Sequence, residues 1–276
     1  MDAIFLPFFR TALLAALVLA GIHAYLGYHV VRRGVIFVDL ALAQMAALGV
    51  AVAVFLGKGE SAFWSYVLPL GMTIVGAASF AWLRGQERKV PLEAFIGIVF
   101  ATAQALVFLV LESSPAGPEH VKETLVGAIF TVDPAHVGKT ALLYALVGAV
   151  HVVLRKPFFE ITEDSRAAKA KGSNLFLWDF VFYATFGLVV TSSVKIAGVL
   201  LVFGLLVIPS VAGVLLTRTP GRALAVGWVF AFLGSFLGLL GSVRFDLPAA
   251  PSILVMLSIG LVVLGSVARL REGQVP

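Results

Sequence analysis

Long apolar runs, broken at intervals by short polar or basic stretches, dominate the chain. No 3.6-residue or two-residue alternation of apolar and polar positions is sustained, so the pattern does not predict the half-buried helices and strands of a water-soluble fold. Runs of about 18 or more apolar residues are long enough to cross a bilayer. Nine such runs are predicted as spans, near 8–31, 34–57, 65–83, 92–111, 136–154, 175–193, 196–217, 222–243 and 251–270. In lipid every backbone polar group needs a partner within the protein, and apolar runs of this length meet that need as helices. The alternating strands of about 10 residues that mark a membrane β-barrel are absent from the sequence. The expected fold is an all-α integral membrane protein. It is a polytopic bundle of about nine transmembrane helices, with eight to ten compatible with the run ends, forming a single transmembrane domain over 1–276. The opening stretch "MDAIFLPFFRTALLAALVLA" has no basic n-region and no clear A-x-A site, so it reads as a retained first span.

Charge adds an orientation. Only 13% of the residues are charged while 60% are hydrophobic, against about a quarter charged in a soluble domain. Arg32 and Arg33 follow the first span, and Arg84, Arg88 and Lys89 the third. Arg155, Lys156, Arg166, Lys169 and Lys171 follow the fifth, Arg218 and Arg222 the seventh, and Arg269 and Arg271 end the ninth. These 14 of the 20 Lys and Arg residues fall on one face if every span crosses. The positive-inside rule makes that face cytoplasmic, which places the chain in the cytoplasmic membrane with its N-terminus outside. The net charge of +5 is then a topology signal and implies no nucleic acid. With no cysteine, thiolate chemistry and disulfides are excluded.

The connections are too small for a soluble catalytic domain. Neither a GxxxxGK[ST] phosphate loop nor an HExxH pair occurs, so ATP, if it drives this protein, must be bound by another chain. The outer connection contains "TLVGAIFTV", too short to span, which re-enters or lies at the interface. Its Glu112, Glu119, His120 and Glu123 gather cations, dock a partner or form an ordinary solvated loop. In "GSFLGLLG", Gly234 and Gly238 stand four apart, a spacing that lets helices approach closely and reads as packing.

Polar side chains inside spans are candidate functional groups. They are His23, His29, Asp39, Gln44, Glu93, Gln104, Lys195 and Asp246. Asp39 and Glu93 lie near cytoplasmic helix starts, where a carboxylate either serves a pathway or simply suits the helix dipole. Gln44 follows Asp39 by five residues, about 140° around a helix, so the two share a face only if the helix is locally widened. His23 is mid-span, either a ligand for a transition metal or a packed, hydrogen-bonded histidine. Lys195 separates two apolar runs and is placed at the outer interface. Pro209 removes a backbone hydrogen bond inside the next run and is expected to kink it, a break typical of transport pathways.

Several segments, taken in order, resemble the membrane permeases of zinc, manganese and iron ABC importers. "FVDLALAQMAALG" looks like that family's F-G-D-x-L-x-H-x-x-x-L-G segment, and "LEAFIGIVFATAQAL" is similar to its acidic-x-x-x-G-I motif. "LVGAIFTVDPAHV" and "FDLPAAPSI" have counterparts at matching places, and "KIAGVLLVFGLLVIPSVAG" is close to the signature K-x-x-G-x-L-L-x-x-x-L-L-I-I-P-A. "RAAKAKG" resembles the coupling segment that ends A-A-x-x-x-G, with Arg166 where Glu is usual. The family's His four residues after the Asp is Ala43 here, with Gln44 one place later.

The resemblance implies a homodimeric permease that is not itself an enzyme and binds no cofactor. It also implies an ABC ATPase subunit, an extracytoplasmic metal-binding protein, and a zinc, manganese or iron ion as cargo moved by alternating access. Asp39, Glu93 and, as a displaced substitute, Gln44 would line the pathway, with His23 a weaker candidate. Asp246 would lie at the outer mouth, and Arg166, Ala167, Ala168 and Gly172 would meet the ATPase. The alternatives are an ABC permease for a metal chelate or other small solute, and a proton-coupled secondary transporter using the buried carboxylates.

Overall fold

The computed structural model describes residues 6–59, 61, 63–84, 90–111 and 127–272. Glu112, Glu119, His120 and Glu123, the first part of "TLVGAIFTV", and Arg88 and Lys89 lie outside them. Among the described residues there is no strand. The helices are α1 (Pro7–Arg33), α2 (Val38–Phe55), α3 (Trp64–Arg84), α4 (Leu92–Leu111), α5 (Pro134–Val153), α6 (Arg155–Glu163), α7 (Ser165–Ala170), α8 (Leu175–Leu216), α9 (Pro220–Phe245) and α10 (Ala249–Glu272). A 3₁₀ turn at Ile129–Thr131 precedes α5.

All of these except α6 and α7 are long and apolar enough to cross a membrane, eight helices among the described residues. The nine predicted spans are reconciled by α8, whose 42 residues contain both the sixth and the seventh. The pattern puts the boundary between them at Lys195, but the helix runs through it. Lysine is a good helix former, and the Lys195 ammonium rests 4.7 Å over the Tyr66 ring. The break falls at Gly198, with φ 73° and ψ 161°, a backbone region essentially restricted to glycine. Pro209 lies in the arm beyond that break; Gly198 is where the backbone leaves helical geometry.

The chain forms two compact units. One comprises Met1–Val31, Leu125–Tyr144 and Ile196–Pro276. In it the 3₁₀ segment seats against the Gly198 break: Ala128 N–H donates to Ile196 O at 3.1 Å, and Gly127 leaves no room for a Cβ against the Ala197–Gly198 peptide. Gly234 and Gly238 of α9 face Leu257 and Ile253 of α10. A Cβ on Gly238 would lie 2.9 Å from the Ile253 amide nitrogen, so the four-residue spacing does serve close packing. Trp228 Nε1 donates to Gly21 O at 2.8 Å, and Ser210 Oγ reaches both Leu206 O and Ala24 O, tying α9 and α8 to α1.

The other unit comprises Arg32–Thr124 and Ala145–Lys195. Here α2 packs against both α3 and α4, around Met45, Leu48, Ala51, Ala103 and Val107. Gly49 brings the α2 backbone onto Pro69 of α3, where a Cβ would meet the proline Cα at 2.5 Å. On α6, Phe158, Ile161 and Thr162 are buried while Arg155, Lys156 and Glu163 are exposed. That i, i+3, i+4 spacing gives the short helix one inward face.

Candidate functional site

Asp39 lies in the first turn of α2, and Glu93 of α4 meets the N-cap of the same helix. Phe37 is that N-cap and makes no side-chain cap, and its N–H is one of the donors a helix start cannot satisfy within the helix. Glu93, in the first turn of α4, supplies the acceptor: its Oε1 takes the Phe37 N–H at 3.1 Å. The other oxygen, Oε2, is buried with no hydrogen-bond partner among the described residues. Asp39 is 1% exposed, and its Oδ1 accepts the N–H of Leu40 at 2.7 Å. Both acids therefore sit where the helix dipole favours negative charge, each with acceptor capacity in excess of these bonds. Such a place can receive a cation.

The other sequence candidates fall elsewhere. Residues 38–55 are regular α-helix with no wide turn, so buried Gln44 points about 140° away from Asp39, and it is Ala43 that shares the Asp39 face. His23 belongs to the other unit. It is fully buried, with Nδ1 2.7 Å from Leu19 O and its ring edge-on to Tyr144, the arrangement of a packed histidine. Asp246 is exposed and forms the left-handed C-cap of α9 at φ 53°. Asp tolerates this conformation better than most residues. Among the described residues no three His, Asp or Glu side chains form a metal-holding group.

The "RAAKAKG" segment is α7 with both ends closed. Asp164 Oδ1 accepts from Arg166 N and Ala167 N at 3.0 and 2.9 Å. Gly172, at φ 88°, donates to Lys169 O, and Ser173 donates to Ala168 O. These paired C-terminal bonds are a Schellman closure. Ala168 is buried, while Arg166, Ala167, Lys169 and Lys171 are exposed. The result is a rigid six-residue knob with a basic outer face.

One cluster escapes the sequence reading. Arg33 and Arg84, taken there as topology signals, are buried, their side chains 0% and 8% exposed. Their NH1 atoms share Asp179 Oδ1 at 2.9 and 2.8 Å. Arg33 also donates from Nε to Thr162 Oγ1 at 2.9 Å, and its guanidinium lies 4.0 Å over the Phe182 ring. The available signal was Asp179 itself, an acid a few residues inside the cytoplasmic start of the sixth span.

A bundle of apolar helices with buried carboxylates in its spans, a long helix broken at glycine and a capped basic knob between spans is the architecture of a membrane permease. The chain belongs to the ABC 3 transport family, whose model matches residues 6–268. It is accordingly a multi-pass transport subunit of the cytoplasmic membrane and not an enzyme. It is 27% identical to the "High-affinity zinc uptake system membrane protein ZnuB" of Haemophilus influenzae, over 88% of this chain and 91% of that one. It is 23% identical to a "Probable iron transport system membrane protein" of the same organism, over 96% and 95%. The structure titled "PsaBC from Streptococcus pneumoniae in complex with Fab" has the same fold, with a TM-score of 0.78 at 20% identity, covering 95% of this chain and 93% of that one.

Proposed function

We propose that this chain is the membrane-spanning subunit of an ABC importer that carries a divalent transition metal, zinc, manganese or iron, into the cytoplasm by alternating access. The observation that carries the reading is two carboxylates at the start of α2, Asp39 in its first turn and Glu93 of α4 against its N-cap, inside a member of a transport family whose relatives are named for zinc and iron. Asp39 and Glu93 offer the oxygen donors that lower the barrier for a dication in a low-dielectric path. In this reading Gln44, on another face of α2, and His23, packed against Leu19 and Tyr144, are not ion donors. The chain has no phosphate loop, so hydrolysis belongs to an ATPase subunit, for which the capped, basic α7 is the docking element through Arg166, Ala167, Ala168 and Gly172. A second copy of the chain completes the permease. An extracytoplasmic metal-binding protein delivers the ion at the outer mouth, where Asp246 stands. Uptake of radioactive zinc or manganese into proteoliposomes, with and without the ATPase subunit, tests this. Uptake that requires ATP and the ATPase supports it; uptake by the purified chain alone, driven by a proton gradient, would overturn it.

One observation favours a chelate as cargo. Ala43 stands on the Asp39 face where the family has His, so a bare zinc ion finds one donor fewer. Competition separates the two cargoes: free Zn²⁺ or Mn²⁺ at micromolar levels blocks uptake of an ion but not of a chelate.

A further inference from the structure

Three helix ends meet at Asp179. Arg33 is the last residue of α1 and Arg84 the last of α3, while Asp179 lies one turn into α8. Cations at helix C-termini and an anion near a helix N-terminus each agree with the helix dipoles, so the triad is oriented as well as paired. It is also desolvated, with Asp179 1% exposed, which makes loss of either partner far costlier than at a surface pair. A cluster that only joined spans would end there, but this one continues into the cytoplasmic corner. Arg33 bonds Thr162 on α6, and its NH2 lies 3.4 Å from Phe158 O on the same helix. Arg32 pairs with Glu163 at 2.6 Å. The next residue, Asp164, is the N-cap of α7. From the acid on α8 to the knob, the path therefore runs through bonded or adjacent groups, with Phe158 fully buried beneath it against Phe182 and Trp178.

We infer that Asp179 is a positioning residue for transport: by holding Arg33 and Arg84 it locks the α6–α7 corner to the C-terminal ends of α1 and α3, so that a displacement of α7 is passed to those two helix ends together. The inference rests on the reading of α7 as the ATPase docking element. It goes further in assigning the link from that element into the membrane to one carboxylate and two arginines.

The test uses the whole transporter, chain plus ATPase subunit, in proteoliposomes, and reads the ratio of metal transported to ATP hydrolysed. Asp179→Asn keeps the side chain's size and removes its charge. It is expected to leave co-purification with the ATPase and hydrolysis in place while the ratio falls at least about fivefold, the lower range of measured couplings between sites. Asp179→Glu restores part of the ratio. Thr162→Val, which removes the hydroxyl that accepts from Arg33 Nε, lowers it in the same direction and decides the matter if Asp179→Asn does not fold. The sequence contains no cysteine, so spin labels at Lys169→Cys and Trp82→Cys report the α7–α3 distance directly. The distribution broadens in Asp179→Asn and Thr162→Val. Hydrolysis and transport falling in parallel at an unchanged ratio, or a distance distribution like that of the parent chain, overturns the inference. Failure of the parent chain to bind the ATPase refutes the docking assignment instead.

Discussion

Glu93 of α4 accepts the N–H of Phe37 at the N-cap of α2, two residues before Asp39. A carboxylate reaching from another helix thus does what the N3 Glu of a capping box does elsewhere. The dipole term at a helix start is worth about 0.3–1 kcal/mol, less than the cost of burying an ionised carboxylate such as Asp39, 1% exposed, without a counter-charge. A passing dication offsets that cost, and a structural cap alone needs only one of the two acids. Glu93→Gln separates these roles, since the amide oxygen still accepts from Phe37 but carries no charge. Uptake should fall at least about tenfold in Glu93→Gln and in Asp39→Asn. The melting temperature in detergent should fall in Glu93→Ala and hold in Glu93→Gln. Full uptake by Glu93→Gln would reduce Glu93 to a cap.

Gln44 provides the contrast. It stands on the same helix but on another face, so Gln44→Ala should change uptake by less than about twofold, since contacts made away from a path leave its barrier alone. Ala43→His places an imidazole on the Asp39 face and should shift preference toward zinc, which favours nitrogen donors. Metal-competition profiles of the two variants check both statements. A loss of uptake in Gln44→Ala equal to that in Asp39→Asn would return Gln44 to the site.

Span positions were legible because lipid imposes one solution on an apolar run of that length. The division between the sixth and seventh spans was misplaced for a physical reason: a charge such as Lys195 looks like an end, yet it can lie on an aromatic ring and leave the helix intact. The true break, Gly198, is invisible among 27 glycines, since nothing in its residue type tells a break from a packing contact. Asp39 and Glu93 could be picked out singly as acids in apolar runs. That Glu93 caps the helix carrying Asp39 is a tertiary fact, made by α4 lying beside α2. Arg33 and Arg84 misled for the opposite reason. Positive charge after a span is the ordinary topology signal, and only the fold shows that these two turn inward to Asp179.

At Gly198 the backbone conformation costs a side-chain-bearing residue about 1–3 kcal/mol. Gly198→Ala should therefore lower the detergent melting temperature, and Gly127→Ala should as well, because its Cβ would strike the Ala197–Gly198 peptide. Gly241→Ala is the control. It lies within α9 with nothing within 4 Å of the added carbon, and should be neutral or stabilising by up to about 1 kcal/mol. Equal effects at 198 and 241 would mean that the break is not held by glycine.

The cap of α7 gives the most direct test of the cytoplasmic knob. Six residues are too few to hold a helix in water without help, and here the help is local: Asp164 at one end and Gly172 at the other. Asp164→Ala removes an acceptor that serves two N–H groups and should cost about 1 kcal/mol of local order. Gly172→Val places a β-branched residue at φ 88° and should cost more. Neither residue lies in a span, so the bundle should keep its detergent melting temperature while the affinity for the ATPase subunit falls about 5- to 10-fold, the size of change that about 1 kcal/mol produces. Asp164→Ser retains a capping oxygen and should recover most of the affinity. Titration of the ATPase against labelled chain in nanodiscs measures all three variants. Binding that ignores both caps would place the docking surface elsewhere than on α7.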